Sequence, residues 1–349
     1  MRNRYFGFVD GIENGLISGW VVGPDRSMPS KVYLSIDNKF VLEKEASIYR
    51  EGVKLSGHHD TGVCGFSIKL PPEYRERSKI QVHVYAADRK TQLTNSPVIV
   101  NYPLAMADES LKICFMHIAK TAGSSVNTVV SSFFEADRCA THIEVMDWKP
   151  RDFLSSYDFI SGHIRIKEFL QHQDLSEYKL VTVLRKPIEQ LASHLCWLKR
   201  IGENKLGGFF NSHPEPIKQA CLRLQQVDFS SVEDVRNYVN TMSGVECILF
   251  DNCQVRYFIA DYNTPRVTES SLVEAKEMAS RFDYIGFNDN LPAFYRGIGL
   301  AVEEGLDVRD NVQNNRYGLD VSRPELYELL SPLIKYDNEL YEYAKNKGN

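Results

Sequence analysis

Residues 113–134 set out, in order, a short apolar run (Ile113-Cys-Phe-Met116), a basic and hydroxyl-rich turn (His117-Ile-Ala-Lys120-Thr121-Ala122-Gly123-Ser124-Ser125) and a helical pattern. Val126, Val129, Val130, Phe133 and Phe134 recur at helical spacing, so the turn falls at a helix N-terminus, where backbone N–H groups lack intrahelical partners. Lys120 brings a full positive charge, Gly123 permits close backbone approach, and Thr121, Ser124 and Ser125 bring hydroxyl donors. That combination suits a phosphate or sulfate group. It departs from the nucleotide loop G-x-x-x-x-G-K-[ST], because Lys120 stands three residues before the only glycine, and a nucleoside-triphosphate kinase or ATPase is disfavoured. A Ser/Thr-capped helix with Lys120 merely solvated is the plainer alternative.

Residues 179–198 repeat the arrangement. Leu180-Val-Thr-Val-Leu184 reads as a buried strand, Arg185 ends it, and Pro187 suits a first helical turn. Ile188, Leu191, Ala192, Leu195 and Leu198 then form an apolar face. The planar fork of Arg185 matches a phosphate, while Glu189 and Ser193, four apart, share a helix face. A local Arg185–Glu189 pair is the alternative use of that arginine.

Together these two units carry a resemblance to a known family. His117 to Ser125 resembles the 5′-phosphosulfate loop of carbohydrate sulfotransferases, the group that includes heparan sulfate 2-O- and 6-O-sulfotransferases and bacterial relatives. Val183-Leu-Arg185-Lys-Pro187-Ile-Glu-Gln-Leu-Ala-Ser193-His resembles the family's 3′-phosphate segment. Phe159-Ile-Ser-Gly162-His163 resembles the stretch carrying its catalytic histidine, Asp251-Asn252-Cys-Gln254-Val-Arg256-Tyr-Phe its Asn-x-Gln-x-Arg region, and Tyr336-Asp337-Asn338-Glu339-Leu340-Tyr341 its ending. The matches run in family order over residues 111–344. Alanine at 119 replaces the family's usual proline, and lysine at 186 its frequent aspartate.

The resemblance implies a P-loop-like, three-layer α/β domain with a central parallel sheet. It implies transfer of a sulfuryl group from 3′-phosphoadenosine-5′-phosphosulfate (PAPS) to a carbohydrate hydroxyl, with no metal required. Lys120, Thr121, Ala122, Gly123, Ser124 and Ser125 are expected around the 5′-phosphate, and Arg185 and Ser193 at the 3′-phosphate. Lys120 would stabilise the leaving phosphate, and Arg316 would close over the nucleotide. His163 is expected as general base, since a sugar hydroxyl needs one and imidazole titrates near pH ~6.5. His117, His142 and His194 are the next candidates, with His117 and His194 expected to pack or support. For the acceptor, alternation in Ile164-Arg165-Ile166-Lys167 would put Arg165 and Lys167 on one face of an extended segment. Arg256 is a further acceptor candidate, whereas the helix-end residues Trp197, Lys199 and Arg200, which could contact an anionic glycan, make a mixed aromatic and basic end of the kind that is commonly just a solvated face.

The elements that must hold these residues divide the chain near residue 105. Over 1–105, short alternating runs such as Lys31–Ile36, Phe66–Leu70 and Ile80–Tyr85 lie between Gly, Pro, Asn and Asp turns. They predict a small all-β, sandwich-like domain, glycan-binding or structural. There Trp20 fits a sandwich core better than a sugar platform. Over 106–349, strands alternate with helices, the pattern of a parallel sheet. The first part carries a net charge of +3 and the second −8, so nucleic acid is disfavoured and anion recognition must depend on local cations. Seven scattered cysteines without C-x-x-C suit reduced thiols, and with no signal or membrane-spanning run a bacterial cytoplasmic enzyme is expected. A Golgi lumenal setting would follow if an anchor preceded the chain. The rival readings are a nucleotide-sugar glycosyltransferase, for which Asn288-Asp289-Asn290 supplies no Asp-x-Asp motif, and a silent glycan-binding protein.

Overall fold

A computed structural model describes residues 4–13, 16–70, 74, 79–101, 106–203, 208–211, 213–302 and 319–347. Two compact units are distinguished: Met1–Met106 with Ser131–Ala136 and Asn204–His213, and Ala107–Val130 with Asp137–Glu203 and Pro214–Asn349. The protein is mixed α/β, with an antiparallel β region at its N-terminus and a parallel five-stranded sheet after it.

In the first unit, β1 (Phe6–Glu13), β2 (Leu16–Val22), β5 (Ile48–Tyr49) and β6 (Val63–Lys69) form one antiparallel sheet in the order β1-β2-β6-β5. Strands β3 (Lys31–Ile36), β4 (Lys39–Glu45), β7 (Lys79–Ala86) and β8 (Val98–Asn101) form another in the order β4-β3-β7-β8. Period-two alternation sends Val32, Leu34 and Ile36 of β3 and Ile80, Val82 and Val84 of β7 into a core shared with Val9, Ile17, Val21 and Phe66 of the other sheet. A short helix, α1 (Glu51–Leu55), follows β5, and a second, α5 (Gly208–Asn211), also belongs to this unit. Trp20 lies outside the main core. It is half-buried in a smaller cluster with Val22, Val53 and Cys64, edge-on to Phe6 and 6.0 Å from the parallel His58 ring.

The second unit is built on strands β9 (Ile113–Met116), β10 (Cys139–Ala140), β11 (Phe159–Gly162), β12 (Lys179–Leu184) and β13 (Tyr284–Phe287), all parallel, in the order β10-β11-β9-β12-β13. Its helices are α2 (Gly123–Ser131), α3 (Ile166–His172), α4 (Pro187–Glu203), α6 (Glu215–Gln225), α7 (Val232–Asn240), α8 (Val245–Phe250), α9 (Glu269–Ala279), α10 (Leu291–Gly297), α11 (Pro324–Leu330) and α12 (Lys335–Lys347). Strand β9 is buried on both faces, which explains why it is apolar throughout instead of alternating. Cys114 and Met116 enter the core formed with Phe169 of α3, Leu272 and Ala275 of α9 and Leu340 of α12, while Phe115 faces Phe294 of α10 across 6.2 Å. Fully burying a ring such as Phe115 contributes about 1.5–3 kcal/mol, so this strand is an anchored base for the loop that follows it.

Two expected helix faces differ from those observed. Helix α2 ends at Ser131, so Phe133 and Phe134, although buried, lie beyond it in the turn closed by Phe134 N donating to Ser131 O. In α4 the buried side includes Gln190 and His194 beside Leu191, Leu195 and Leu198, while Ile188 and Ala192 are only partly covered. The polar pair turns inward because each has a use there, described below.

Candidate active site

Because β9 lies between β11 and β12, the chain leaves the sheet centre in one direction and returns on the other side. In parallel sheets such a switch point leaves a crevice at the carboxyl ends of the strands. Gly162 of β11 and Thr182 of β12 both pair with Met116 of β9, so the residues that follow each strand end are brought side by side. They are His117, His163 and Arg185.

The loop after β9 is held from several sides. His117 N donates to Gly162 O (2.9 Å), Thr182 Oγ1 donates to Met116 O (2.7 Å), and Gln190 Nε2 of α4 donates to Ala119 O (2.9 Å). Lys120 (φ 66°) and Ala122 (φ 84°) are both left-handed without being glycine, a backbone strain that residues tolerate chiefly where a loop has a function. Gly123 opens α2 with its Cα against the His117 ring, and a methyl group there would overlap the imidazole. Ala122 is half-buried and Ser124 exposed at this helix start, while Ser125 is buried. Thr121 departs from expectation: it is fully buried and its hydroxyl donates to Ile118 O (2.9 Å), so it braces the loop instead of offering an O–H to a ligand.

Lys120 Nζ lies 5.4 Å from the Trp197 ring centroid. Burial, together with the positive charges of Arg200 and Arg185, pulls its ammonium from 10.5 down to about 8. Arg185 projects beside it. Among the described residues its guanidinium makes only long contacts, Nε to Glu189 at 3.5 Å and Nη1 to Lys120 O at 3.4 Å, so the local Glu189 pair is present but loose. Its backbone is held firmly: Gln254 Oε1 accepts from Arg185 N (3.0 Å) and Gln254 Nε2 donates to Arg185 O (2.9 Å). Ser193 is half-buried on α4, two turns beyond.

His163 follows β11 and is exposed as a residue, with its Nδ1 against the protein. That nitrogen lies 2.8 Å from His117 O, a carbonyl that can only accept, so Nδ1 carries the proton and Nε2 keeps its lone pair. The His117 ring lies 4.1 Å away, and Glu144 Oε2 accepts from His163 N (2.9 Å). A side chain at Gly162 would press on Glu144, which explains the glycine before the histidine. Protein around the ring lowers the His163 imidazole from 6.5, while Glu144 and the His117 carbonyl pull it upward. Burial raises the Glu144 carboxyl, but its hydrogen bond with His142 and the His163 charge outweigh this and hold it at about 2.

The other histidines are not placed to act as the base. His117 is buried and pushed well below its usual value by that burial and by His163. His194 is buried against Phe250 (5.4 Å) and Trp197 (6.0 Å), and burial takes it down to about 3, which fits packing and not proton transfer. His142 is exposed and pairs with Glu144 at 3.3 Å.

The three acceptor candidates part company. The segment after His163 is not extended: α3 begins at Ile166, so the expected alternation breaks. Arg165 lies over the rings of Tyr257 (4.0 Å) and Tyr262 (5.0 Å), and its buried Nη1 has no hydrogen-bond partner among the described residues. Lys167 instead pairs with Glu274 of α9 at 2.6 Å. Arg256 is fully buried, with Nε on Asp251 O, Nη1 on Tyr262 O and Thr264 O, and Nη2 on Asp251 Oδ2, all at 2.7–2.8 Å. Four of its five N–H donors are spent on folding that loop, and the side chain has no exposed surface to offer an acceptor. Arg316 lies outside the described residues.

Three residues at the site were not anticipated as such: Glu144, Gln190 and Tyr257. Tyr257 Oη accepts from Ala119 N (3.2 Å) and lies 3.4 Å from His163 Nδ1. Among the described residues no cluster of His, Cys, Asp or Glu is arranged to hold a metal ion, and no helix is long and apolar enough to cross a membrane. No family model matches the chain, and no curated protein is significantly similar to it.

Proposed function

We propose that the protein transfers a sulfuryl group from PAPS to a carbohydrate hydroxyl. The observation that carries this reading is the convergence of Lys120, His163 and Arg185 from the carboxyl ends of three adjacent parallel strands. A cationic loop at a helix start, a second loosely held cation and a base with a free lone pair are the parts such a transfer needs.

In this reading Lys120 and the first N–H groups of α2 hold the 5′-phosphosulfate, and Arg185, with Ser193, takes the 3′-phosphate by exchanging its long contacts for charge-assisted ones. The acceptor hydroxyl gives its proton to His163 Nε2. Its oxygen forms a bond to sulfur as the sulfur–oxygen bond to the 5′-phosphate breaks, and the departing electron pair stays on the phosphate oxygen. Lys120 sits where that charge grows. A lowered His163 value favours a neutral imidazole ready to accept at neutral pH. Arg165 is the acceptor contact that the geometry still favours, beside His163 and with an unused donor. Seven free thiols, six of them buried, suit a reducing compartment such as a bacterial cytoplasm.

The test is His163→Ala. Turnover should fall by about 10²–10⁴-fold while adenosine 3′,5′-bisphosphate binds as before. Near-normal turnover would remove His163 as base. Nucleotide binding without transfer in the unaltered protein would favour a silent binding protein instead.

A further inference from the structure

Tyr257 stands where three parts of the site meet. It closes the single 3₁₀ turn Val255–Tyr257, three residues after Gln254, so the two side chains leave one short segment. That segment is fixed by α12: Asp337 accepts from Val255 N (2.8 Å) and Gln254 N (3.2 Å), and Asn252 Oδ1 accepts from Tyr336 N (2.7 Å) and Asp337 N (3.1 Å). Gln254 holds the backbone of Arg185. Tyr257, 3% exposed, reaches the other two elements, the Lys120 loop and the base.

The hydroxyl's hydrogen bonds can be followed atom by atom. Oη accepts the Ala119 N–H, one residue before the left-handed Lys120. It also lies 3.4 Å from His163 Nδ1, whose N–H points first to His117 O at 2.8 Å, so Oη is a second, longer acceptor for the same hydrogen. When Nε2 takes a proton, the positive charge spreads to Nδ1–H and both acceptors gain. The tyrosine ring meanwhile lies 4.0 Å beneath Arg165. One oxygen therefore touches both the peptide that enters the cationic loop and the N–H of the base. Proline, expected at position 119 from the resemblance, has no N–H and could not make the first of these bonds.

We propose that Tyr257 is a positioning residue that ties the Ala119–Lys120 loop to His163, so that an anion seated on the loop shifts the orientation and proton affinity of the base. The proposal rests on the sulfuryl-transfer reading of this site. Besides Tyr257, the titratable and charged groups that act on His163 among the described residues include His117, Glu144, His142, Arg165 and His194, all of which the test leaves in place.

The experiment uses Tyr257→Phe in the full chain, which removes Oη and keeps the ring under Arg165. Without ligand, NMR of the ¹⁵N-histidine-labelled protein follows His163, and amide exchange follows Ala119. Loss of one hydrogen bond should speed Ala119 exchange about tenfold, and the His163 titration midpoint should move downward. Added adenosine 3′,5′-bisphosphate should shift the His163 nitrogens in the unaltered protein, and should still bind Tyr257→Phe but shift them much less. Ala119→Pro removes the same bond from its donor side and should reproduce the lost response, with no further loss in the double variant. Unchanged Ala119 exchange and His163 titration in Tyr257→Phe, or a fully transmitted shift, would overturn the proposal. Failure of the nucleotide to bind the unaltered protein would instead count against the donor reading, and the ligand-free measurements would still decide the role of Tyr257.

Discussion

The charge on Lys120 should make nucleotide binding depend steeply on pH. Burial and two neighbouring guanidinium groups bring its ammonium to about 8 from 10.5, so in the empty site the charge begins to disappear only a little above neutrality. A nucleotide phosphate placed beside it favours the charged form and returns the group toward its ordinary value. Between those two values affinity must fall about tenfold per pH unit, since each unit corresponds to about 1.36 kcal/mol. Full restoration over the span of about 2.5 units amounts to about 3.4 kcal/mol. Calorimetric titration with adenosine 3′,5′-bisphosphate should then show affinity about twofold weaker at pH 8 than at pH 7, about tenfold weaker at pH 9 and nearly a hundredfold weaker at pH 10. Near pH 9 the complex should take up close to one proton, read from buffers of differing ionisation enthalpy. Lys120→Arg, whose guanidinium stays charged throughout, should flatten the profile. The ligand-free fold should respond in the opposite sense. Because the folded value lies below the unfolded one, the unfolded chain binds more protons between about pH 8 and 10.5, and the Lys120 contribution to stability rises with pH across that window. Affinity that stays flat to pH 10 with no proton uptake would refute the placement of Lys120 at the phosphate.

Three further outcomes follow from the same geometry. Arg185→Ala should weaken adenosine 3′,5′-bisphosphate by about 1.5–3 kcal/mol but leave the analogue without the 3′-phosphate nearly unaffected, and calorimetry showing equal losses would sink the 3′ assignment. Gly123→Ala forces the buried His117 ring aside, and with it the carbonyl that orients His163. A melt should show about 1–3 kcal/mol of destabilisation, and an unchanged melt and unchanged His163 NMR signals would mean the ring has room to move. Arg256→Leu strands three carbonyls and removes the buried partner of Asp251. Urea unfolding should register a loss of about 3–5 kcal/mol, whereas a stable protein with an acceptor-specific defect would restore Arg256 to the binding site.

The sequence pattern exposed the strands best where both sheet faces are covered. Ile113–Met116 is apolar throughout and Leu180–Leu184 is apolar except for Thr182, because no face of either segment meets water, and the polar His163 and Arg185 come only past the strand ends. Chemistry carried by backbone groups was hidden. Tyr257 acts on the amide of a residue 138 positions away, and an amide has no residue type to read. Glu144 lies in a short 3₁₀ turn and acts on the main chain of His163, so neither helical nor strand spacing exposes it. Arg256 shows the converse failure: a guanidinium spent on loop carbonyls looks, in sequence, like one awaiting a ligand. The inward turn of Gln190 and His194 likewise depended on partners, Ala119 O and Phe250, from other parts of the chain.

The central claim is sulfuryl transfer, and the direct measurement is incubation of the purified full chain with ³⁵S-labelled PAPS and a panel of poly- and oligosaccharides. Label should appear on at least one glycan with adenosine 3′,5′-bisphosphate released in equal amount, and both should be lost in His163→Ala. Failure to bind the donor, or transfer that persists unchanged without His163, would contradict the claim.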